Sequence, residues 1–261
     1  QAEDLLDVLL RLQDDMGSQY PLTTENIKLV IIVSSRPILF SVYQLPSPGQ
    51  ESSIERRQPL SFACMQDMIS ASSETTSTTL VWAMAELLRK PAAMRRAQDE
   101  VRRQLDGHLH YLRLVIKETL RLHPPVMLIR ECGPRQQVLG FDVPQGAMVL
   151  VNVWAIGRDA VTFGSDAEEF RPERFEEESA AAGDFRGTDF ELLPFGAGRR
   201  MCPGITFGLA VIELALASLL FHFDWELPGG TEELDMAEAF GITARRKSDL
   251  WLHATVVVPP L

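Results

Sequence analysis

The chain reads Phe195-Gly196-Ala197-Gly198-Arg199-Arg200-Met201-Cys202-Pro203-Gly204, directly before an apolar run at residues 205–221. These ten residues follow the pattern Phe-x-x-Gly-x-Arg-x-Cys-x-Gly. If each fixed residue is taken as roughly one in twenty, a chain of 261 residues matches this pattern by accident about once in ten thousand. The stretch therefore indicates selection for a particular chemistry.

Cys202 is the chemically distinctive residue of this stretch. The surrounding glycines let the backbone turn tightly and approach a flat ligand. A cysteine at the start of a helix faces the positive end of the helix dipole, which favours the metal-binding thiolate. Arg200 is a permanent cation suited to a carboxylate, and Phe195 is placed to shield the sulfur from water. A buried or merely reactive cysteine in a glycine-rich turn is the competing interpretation, and it leaves the rest of the pattern unexplained.

Composition limits the class of protein. A net charge of −11 argues against a nucleic-acid-binding surface. The three cysteines, Cys64, Cys132 and Cys202, are too few and too scattered for a disulfide framework, which indicates a reducing compartment. The length is sufficient for one sizeable core, and we expect one domain.

No membrane anchor or signal is expected in this chain. The apolar residues at 29–42 are interrupted by Ser34-Ser35-Arg36-Pro37, so they are not expected to span a bilayer. The run at 205–221 contains Glu213 and is predicted to be a buried core helix.

The apolar spacing predicts a mainly helical chain with small β-sheets. Helical periodicity runs from about Asp67 to Arg89, then from Met94 towards Gly107, and again over Leu112–Leu120. Alternating apolar residues from Val138 to Val153 predict a hairpin whose turn is at residues 144–146, and residues 241–258 contain strand-like segments.

A charged trio is predicted around Glu118. Glu118 and Arg121 are three residues apart, so they share one helix face. Such a pair is usually exposed, but the segment at 172–175 is able to bring Arg174 to the same carboxylate. If it is buried, the trio would form the floor under the cysteine loop, residues 195–204.

Polar residues interrupt the long predicted helix at positions 71–76. Glu74 and Thr75 pair a carboxylate with a hydroxyl, which is the equipment of a proton relay beside a metal cofactor. The alternative is a helix surface whose hydroxyls bond back to the preceding turn.

These motifs occur in the order Thr, Glu-Arg, Arg, Cys, and together they resemble a cytochrome P-450 monooxygenase. The resemblance covers the carboxy-terminal half of that fold. The wording of residues 117–125 and 194–204 is similar to plant microsomal members. The resemblance implies the carboxy-terminal portion of the cytochrome P-450 fold for residues 1–261.

The resemblance also implies site roles. Cys202 would be the axial ligand of the iron in haem b (iron protoporphyrin IX). Glu74 and Thr75 would deliver protons. The trio of Glu118, Arg121 and Arg174 would be structural, and two segments, Val126–Ile129 and Phe240–Thr243, would line the substrate pocket. The residues expected to hold the cofactor are Phe195, Gly198, Arg200, Cys202, Gly204 and Arg130.

A haem-thiolate monooxygenase of plant secondary metabolism is thereby implied, one that inserts an oxygen atom of O2 into a small apolar metabolite. The resemblance also implies that electrons come from a separate NADPH cytochrome P-450 reductase. This is consistent with Gly196-x-Gly198-x-x-Met201, which lacks the third glycine of a dinucleotide loop. The resemblance places the enzyme on the cytosolic face of the endoplasmic reticulum membrane, with membrane association expected only for the full-length protein.

The sequence also departs from the family pattern. The amino-terminal half is missing, Ser72 stands where the family has glycine, and residues 107–110 lack an acidic loop, which indicates a skipped segment. Residues 30–66 form an anomalous insert for which a retained intron is our hypothesis. Two alternatives follow: a truncated, non-catalytic fragment that folds poorly or binds haem without turnover, and a haem-independent thiol protein.

Overall fold

Helix formers at regular apolar spacing build most of the architecture. The computed structural model describes residues 60–103, 109–176, 185, 187–229, 234–239, 241 and 243–259. The chain divides into two compact units, with the boundary after Ser77. In the smaller unit the described residues are the helical ones at 60–77, and in the larger unit they belong to Thr78–Pro259.

Four long helices are present in the part of the chain that the structure describes. They are α1 (Leu60–Arg89), α2 (Pro91–Arg103), α3 (His110–Leu122) and α6 (Ile205–His222). Proline at the first position of α2 has its φ angle preset and forfeits only an N–H that the first turn leaves unbonded. The start of α1 predicted near Asp67 was wrong, because residues 60–66 follow Pro59 without a helix breaker and are helical. The rest of the anomalous insert, residues 30–59, and residues 104–108 lie outside the described part.

The core of the larger unit is built mainly from α2, α3 and α6, and Ala83, Met84 and Leu87 of α1 belong to the same cluster. It confirms the predicted apolar stripe of α3 and most of that of α2, and it adds one stripe of α6. Each fully buried aliphatic side chain contributes about 1.5–3 kcal/mol relative to exposure. The buried stripe residues are Met94, Ala97 and Val101 of α2, Leu112, Val115, Ile116 and Leu120 of α3, and Ile212, Leu216 and Leu220 of α6.

Helix α6 is not the buried core helix that its composition predicted. Its buried residues are Ile212, Leu216 and Leu220, whereas Phe207 is 64% and Leu214 is 71% exposed. Helices α2 and α3 pack against one stripe only, so the other apolar faces remain in contact with solvent. Among the described helices, α6 is also the one whose length and composition would allow a bilayer crossing, a property that it shares with core helices of soluble proteins.

Among the described residues, six short strands form three antiparallel pairs. The strands are β1 (Leu128–Glu131), β2 (Gln136–Val138), β3 (Phe141–Val143), β4 (Met148–Val151), β5 (Phe223–Glu226) and β6 (His253–Val256). Strand β1 pairs with β4, β2 with β3, and β5 with β6.

The predicted hairpin with its turn at residues 144–146 was therefore wrong. The tight turn is at Leu139-Gly140, where both residues have positive φ, the geometry that joins two strands through two residues. Residues 144–146 instead connect β3 to β4, and β4 returns to pair with β1.

The connection after β4 contains short helices that bring the chain back to α3. They are α4 (Val153–Ile156), α5 (Ala160–Phe163) and a 3-10 helix at Pro172–Phe175. Gly157 follows α4 and lies so close to α3 that a β-carbon there would overlap the Arg121 carbonyl. Only glycine permits this approach.

Candidate functional site

The cysteine loop is a closed turn shaped by two glycines. Gly196 and Gly198 have φ of 74° and 69°, a region that other residues adopt only at a cost. A short 3-10 helix spans Gly198–Arg200, and the Cys202 N–H then donates to the Phe195 carbonyl at 3.0 Å. This bond holds the two ends of the loop together.

The thiol of Cys202 is presented to solvent at the beginning of α6. Gly204 caps the helix without a side-chain hydrogen bond, and Cys202 stands two residues before it. Cys202 is exposed and forms no disulfide. The sulfur therefore stands beside the amino-terminal end of an 18-residue helix.

Phe195, at the start of the loop, has an aromatic partner. Its ring meets that of Phe185 edge to face, with centroids 5.3 Å apart, and packs against the core. Cys202 is exposed, and the shielding of its sulfur by Phe195 stays a prediction.

Two of the cations at the loop are those predicted to hold the cofactor. Arg200 is exposed on it, and Arg130 reaches it from β1, since a β-carbon at Gly196 would lie 3.5 Å from Arg130 Nη2. Arg130 Nη1 donates to the adjacent Ile129 carbonyl at 2.8 Å. Neither guanidinium has a carboxylate partner among the described residues, so both are available to an anionic ligand.

A residue that the sequence did not reveal supports the loop from outside. Gly187 has φ of 70°, and a β-carbon there would lie 2.8 Å from Ala197 Cα and 2.9 Å from the Gly196 carbonyl oxygen. Such a close approach requires glycine. The signal was weak, because Gly187 is eight residues before the motif in a glycine-containing stretch.

The charged trio is assembled and buried. Arg121 bonds Glu118 twice, with Nε to Oε2 at 2.7 Å and Nη2 to Oε1 at 2.8 Å, and Arg174 Nε lies 2.9 Å from Glu118 Oε1. The side chains of Glu118 and Arg121 have no exposure and that of Arg174 has 4%. Charges removed from water in this way are tolerated only when their hydrogen bonds are satisfied.

Backbone groups complete these hydrogen bonds. The Arg171 N–H donates to Glu118 Oε1 at 2.8 Å, and Arg121 donates to the carbonyls of Gly157 and Ala167. Arg174 donates to three further carbonyls, those of Phe163, Asp166 and Glu169. All these bonds hold residues 157–171 against α3 and none reaches residues 195–204, so the expected floor under the cysteine loop is not what the trio builds.

Glu74 and Thr75 lie on α1 in the smaller unit, whereas Cys202 belongs to the larger one. Thr75 Oγ1 donates to the Ala71 carbonyl at 2.8 Å, and Ser72 Oγ donates to the Ile69 carbonyl at 3.2 Å. These are the bonds of the alternative interpretation, in which hydroxyls return to the preceding turn.

The two predicted pocket segments meet in the larger unit. Val126 and Thr243 form an isolated antiparallel bridge, and the Ala244 N–H donates to the Pro125 carbonyl at 2.9 Å. Residues 240 and 242 lie outside the described part.

Family comparison identifies the fold to which this site belongs. A family model of cytochrome P450 sequences matches residues 61–252. The chain belongs to the cytochrome P450 family. This match confirms the predicted fold class, a mainly helical part of the cytochrome P450 fold with small β-sheets.

Individual plant relatives agree. Premnaspirodiene oxygenase of Hyoscyamus muticus is 46% identical over an alignment of 272 residues. The alignment covers 99% of this chain and 47% of that protein. Desmethyl-deoxy-podophyllotoxin synthase of Sinopodophyllum hexandrum is 44% identical, over 98% of this chain and 46% of the relative. 5-epiaristolochene 1,3-dihydroxylase of Nicotiana tabacum is 45% identical, over 99% of this chain and 46% of that protein. This cytochrome P450 chain spans about half the length of the curated relatives it matches.

Proposed function

We propose that this chain carries the haem-binding part of a monooxygenase that inserts one oxygen atom of O2 into a small apolar plant metabolite. The single observation that supports this most strongly is the exposed Cys202 thiol, held in a closed glycine turn at the start of α6. Structural cysteines are usually buried and inert, whereas this sulfur is accessible and lies at a helix amino terminus.

The residues of the cysteine loop fit haem b. Cytochromes P450 hold haem iron through a cysteine sulfur, and Cys202 would supply that ligand here. Arg130 and Arg200, which have no carboxylate partner among the described residues, are guanidiniums suited to the carboxylates of the macrocycle. A β-carbon at Gly198 would meet nothing within 4 Å, so the loop leaves open space beside it. When bound, the haem supplies the chemistry of oxygen activation.

The chain's own residues would perform the remaining tasks. Cys202 binds and tunes the cofactor, and the two arginines orient it. Val126 and Thr243, which meet at the isolated bridge, line the substrate pocket. Glu74 and Thr75 carry protons, which requires Thr75 Oγ1 to exchange its bond to Ala71 for one to a ligand or water. The trio around Glu118 is structural.

The names of two relatives support a substrate class. The names premnaspirodiene oxygenase and 5-epiaristolochene 1,3-dihydroxylase refer to hydrocarbons, so we infer an apolar terpenoid for this protein. Electrons would come from NADPH cytochrome P-450 reductase, and the cytosolic face of the endoplasmic reticulum membrane is the proposed location.

Oxygen labelling tests the proposal. The haem-loaded protein, reductase and NADPH are incubated with premnaspirodiene under ¹⁸O2. We expect a product with one ¹⁸O atom, absent when Cys202→Ser replaces the wild type. A product that carries oxygen from water, or equal turnover by Cys202→Ser, would contradict a thiolate-dependent monooxygenase.

A second candidate function is haem binding without turnover. Phe207 and Leu214 on α6 are exposed, and their exposure favours this second function. A catalytic site must be enclosed to exclude water, and a chain that leaves these apolar side chains in contact with water provides less of that enclosure. This second function predicts thiolate-ligated haem in the same protein but no ¹⁸O product.

A further inference from the structure

A buried polar cluster lies next to the Val126–Thr243 bridge and is separate from the cysteine loop, the proposed proton carriers and the charged trio. It contains Trp82 and Glu86 of α1, which are four residues apart on one helix face, and His123 at the end of α3. These side chains are nearly inaccessible, with 0%, 2% and 5% exposure. The sequence offered one signal for this cluster: Glu86 interrupts the apolar stripe of α1 and therefore needs a buried partner.

Trp82 makes the central contacts of this cluster. Its indole N–H donates to the Ala244 carbonyl at 2.7 Å, and its ring stacks on His123 with centroids 3.9 Å apart and an interplanar angle of 4°. Ala244 is thus held on both sides, because its own N–H donates to the Pro125 carbonyl. Ala244 is the residue after Thr243, so Trp82 fixes one partner of the bridge.

His123 controls the other partner. Its Nε2 lies 2.8 Å from Glu86 Oε1, which holds the ring in one orientation against Trp82. Pro124 and Pro125 come next, and proline restricts both its own φ and the residue before it. The backbone between His123 and Val126 therefore has few free dihedral angles, so the position of His123 constrains that of Val126.

The isolated bridge needs such support. Val126 and Thr243 lie outside the named strands, so their pairing does not belong to any of the three described strand pairs. If the cluster served only to fill the core, an apolar ring in place of Trp82 would suffice. Its indole N–H instead bonds the backbone beside the bridge, which indicates a positioning role.

We propose that Trp82 and His123 are positioning residues that fix the Val126–Thr243 pair and thereby determine which carbon of a bound substrate reacts. The proposal rests on the proposed function, in which this pair lines the pocket. It does not involve the cofactor ligand or the charged trio.

The decisive variant is Trp82→Phe, which keeps an aromatic ring and removes the N–H. Its matched control is Trp225→Phe, because the Trp225 indole likewise donates to a backbone carbonyl, that of Leu219, at 3.0 Å. A near-isosteric form, with 3-benzothienylalanine in place of Trp82, removes the same N–H and serves if Trp82→Phe fails to fold.

Two measurements separate the outcomes. For Trp82→Phe we expect amide hydrogen exchange at Ala244 to rise roughly three- to tenfold, the effect of one lost hydrogen bond. With 5-epiaristolochene as substrate, we expect the ratio of hydroxylated isomers to change while the haem-thiolate spectrum is retained. The Trp225→Phe variant should keep the wild-type exchange at Ala244 and the wild-type product ratio.

Unchanged Ala244 exchange in the Trp82 variant would overturn the proposal, as would an equal change of product ratio in Trp225→Phe. If the wild type shows no thiolate signature or turnover, the proposed function fails by itself. Ala244 exchange in the haem-free protein then still decides whether Trp82 positions the bridge.

Discussion

The trio around Glu118 and the cysteine loop are the two most distinctive regions of this cytochrome P450 chain, and they are built in opposite ways. Around Glu118, three charged side chains are removed from solvent and nearly all their hydrogen-bonding atoms have partners. At Cys202, the thiol is exposed and the neighbouring Arg200 and Arg130 lack carboxylate partners among the described residues.

The two regions use their polar groups for different tasks. A buried charge that is fully bonded within the protein has no capacity left for a ligand, so its role is to hold segments together. An exposed thiol and unpaired cations contribute little to stability and remain free to bind. Substitutions in the first region should therefore affect folding, and those in the second should affect ligation.

The largest effect is expected for Glu118→Gln. Without the carboxylate, two buried guanidiniums lose their counter-charge, and the free energy of unfolding should fall by about 3–5 kcal/mol. Urea denaturation followed by circular dichroism measures this. The control is Glu213→Gln, which breaks the more exposed pair with Arg113 and should cost under about 1 kcal/mol. Equal losses in the two variants would refute the contrast between the regions.

Gly187→Ala should damage the cysteine loop. The new β-carbon approaches Ala197 Cα at 2.8 Å, and the residue must also keep a φ of 70°, with a combined cost of roughly 1–3 kcal/mol. Gly229→Ala is the matched control, since Gly229 has φ of 85° but nothing within 4 Å of its β-carbon site. Haem titration should show weaker binding for Gly187→Ala only. Weaker binding in both would mean that backbone strain, not contact with the loop, is responsible.

The smallest expected effect is the loss of stability at low pH when Asp166 becomes protonated. Asp166 borders the trio, 3.1 Å from Arg171 and 3.5 Å from Arg174. Desolvation raises the pKa of Asp166, but attraction by Arg174 and Arg171 outweighs it and lowers that pKa below the ordinary 3.8. The stabilisation is therefore present above pH 3.8 and lost as the pH falls through the lowered value.

The measurement is the pH dependence of unfolding. Asp166→Asn should remove a contribution below about 1 kcal/mol, because the carboxylate is partly exposed. The variant and the wild type should converge in stability towards pH 2. A constant difference from pH 7 to pH 2 would contradict the ionic origin.

Local patterns predicted much of this molecule. Helical apolar spacing identified α2, α3 and the greater part of α1, since each buried stripe repeats at the helix period. The three-residue spacing of Glu118 and Arg121, with Arg174 supplied by a later segment, predicted the trio. Short-range rules suffice for Glu118 and Arg121, which lie on one helix, whereas Arg174 is 56 residues from Glu118 and is beyond such a rule.

Long-range partners were not predictable in this way. The pairing of β1 with β4 across an intervening hairpin leaves no local signature, and Leu139 is an unusual residue for a positive φ. The apolar composition of α6 predicted burial, whereas exposure depends on which elements pack against it. Trp82, His123 and Ala244 are far apart in sequence, so their contact follows only from the tertiary fold.

Thiolate ligation by Cys202 is the central claim, and the carbon monoxide spectrum tests it most directly. Wild-type protein, Cys202→Ser and Cys132→Ser are loaded with haem, reduced and exposed to carbon monoxide. The control is matched because Cys132 is also a free cysteine and is half-buried. We predict the red-shifted Soret band of thiolate ligation in wild type and Cys132→Ser, and its absence in Cys202→Ser. A red-shifted band in Cys202→Ser, or none in the haem-loaded wild type, would contradict the assignment of Cys202 as the iron ligand.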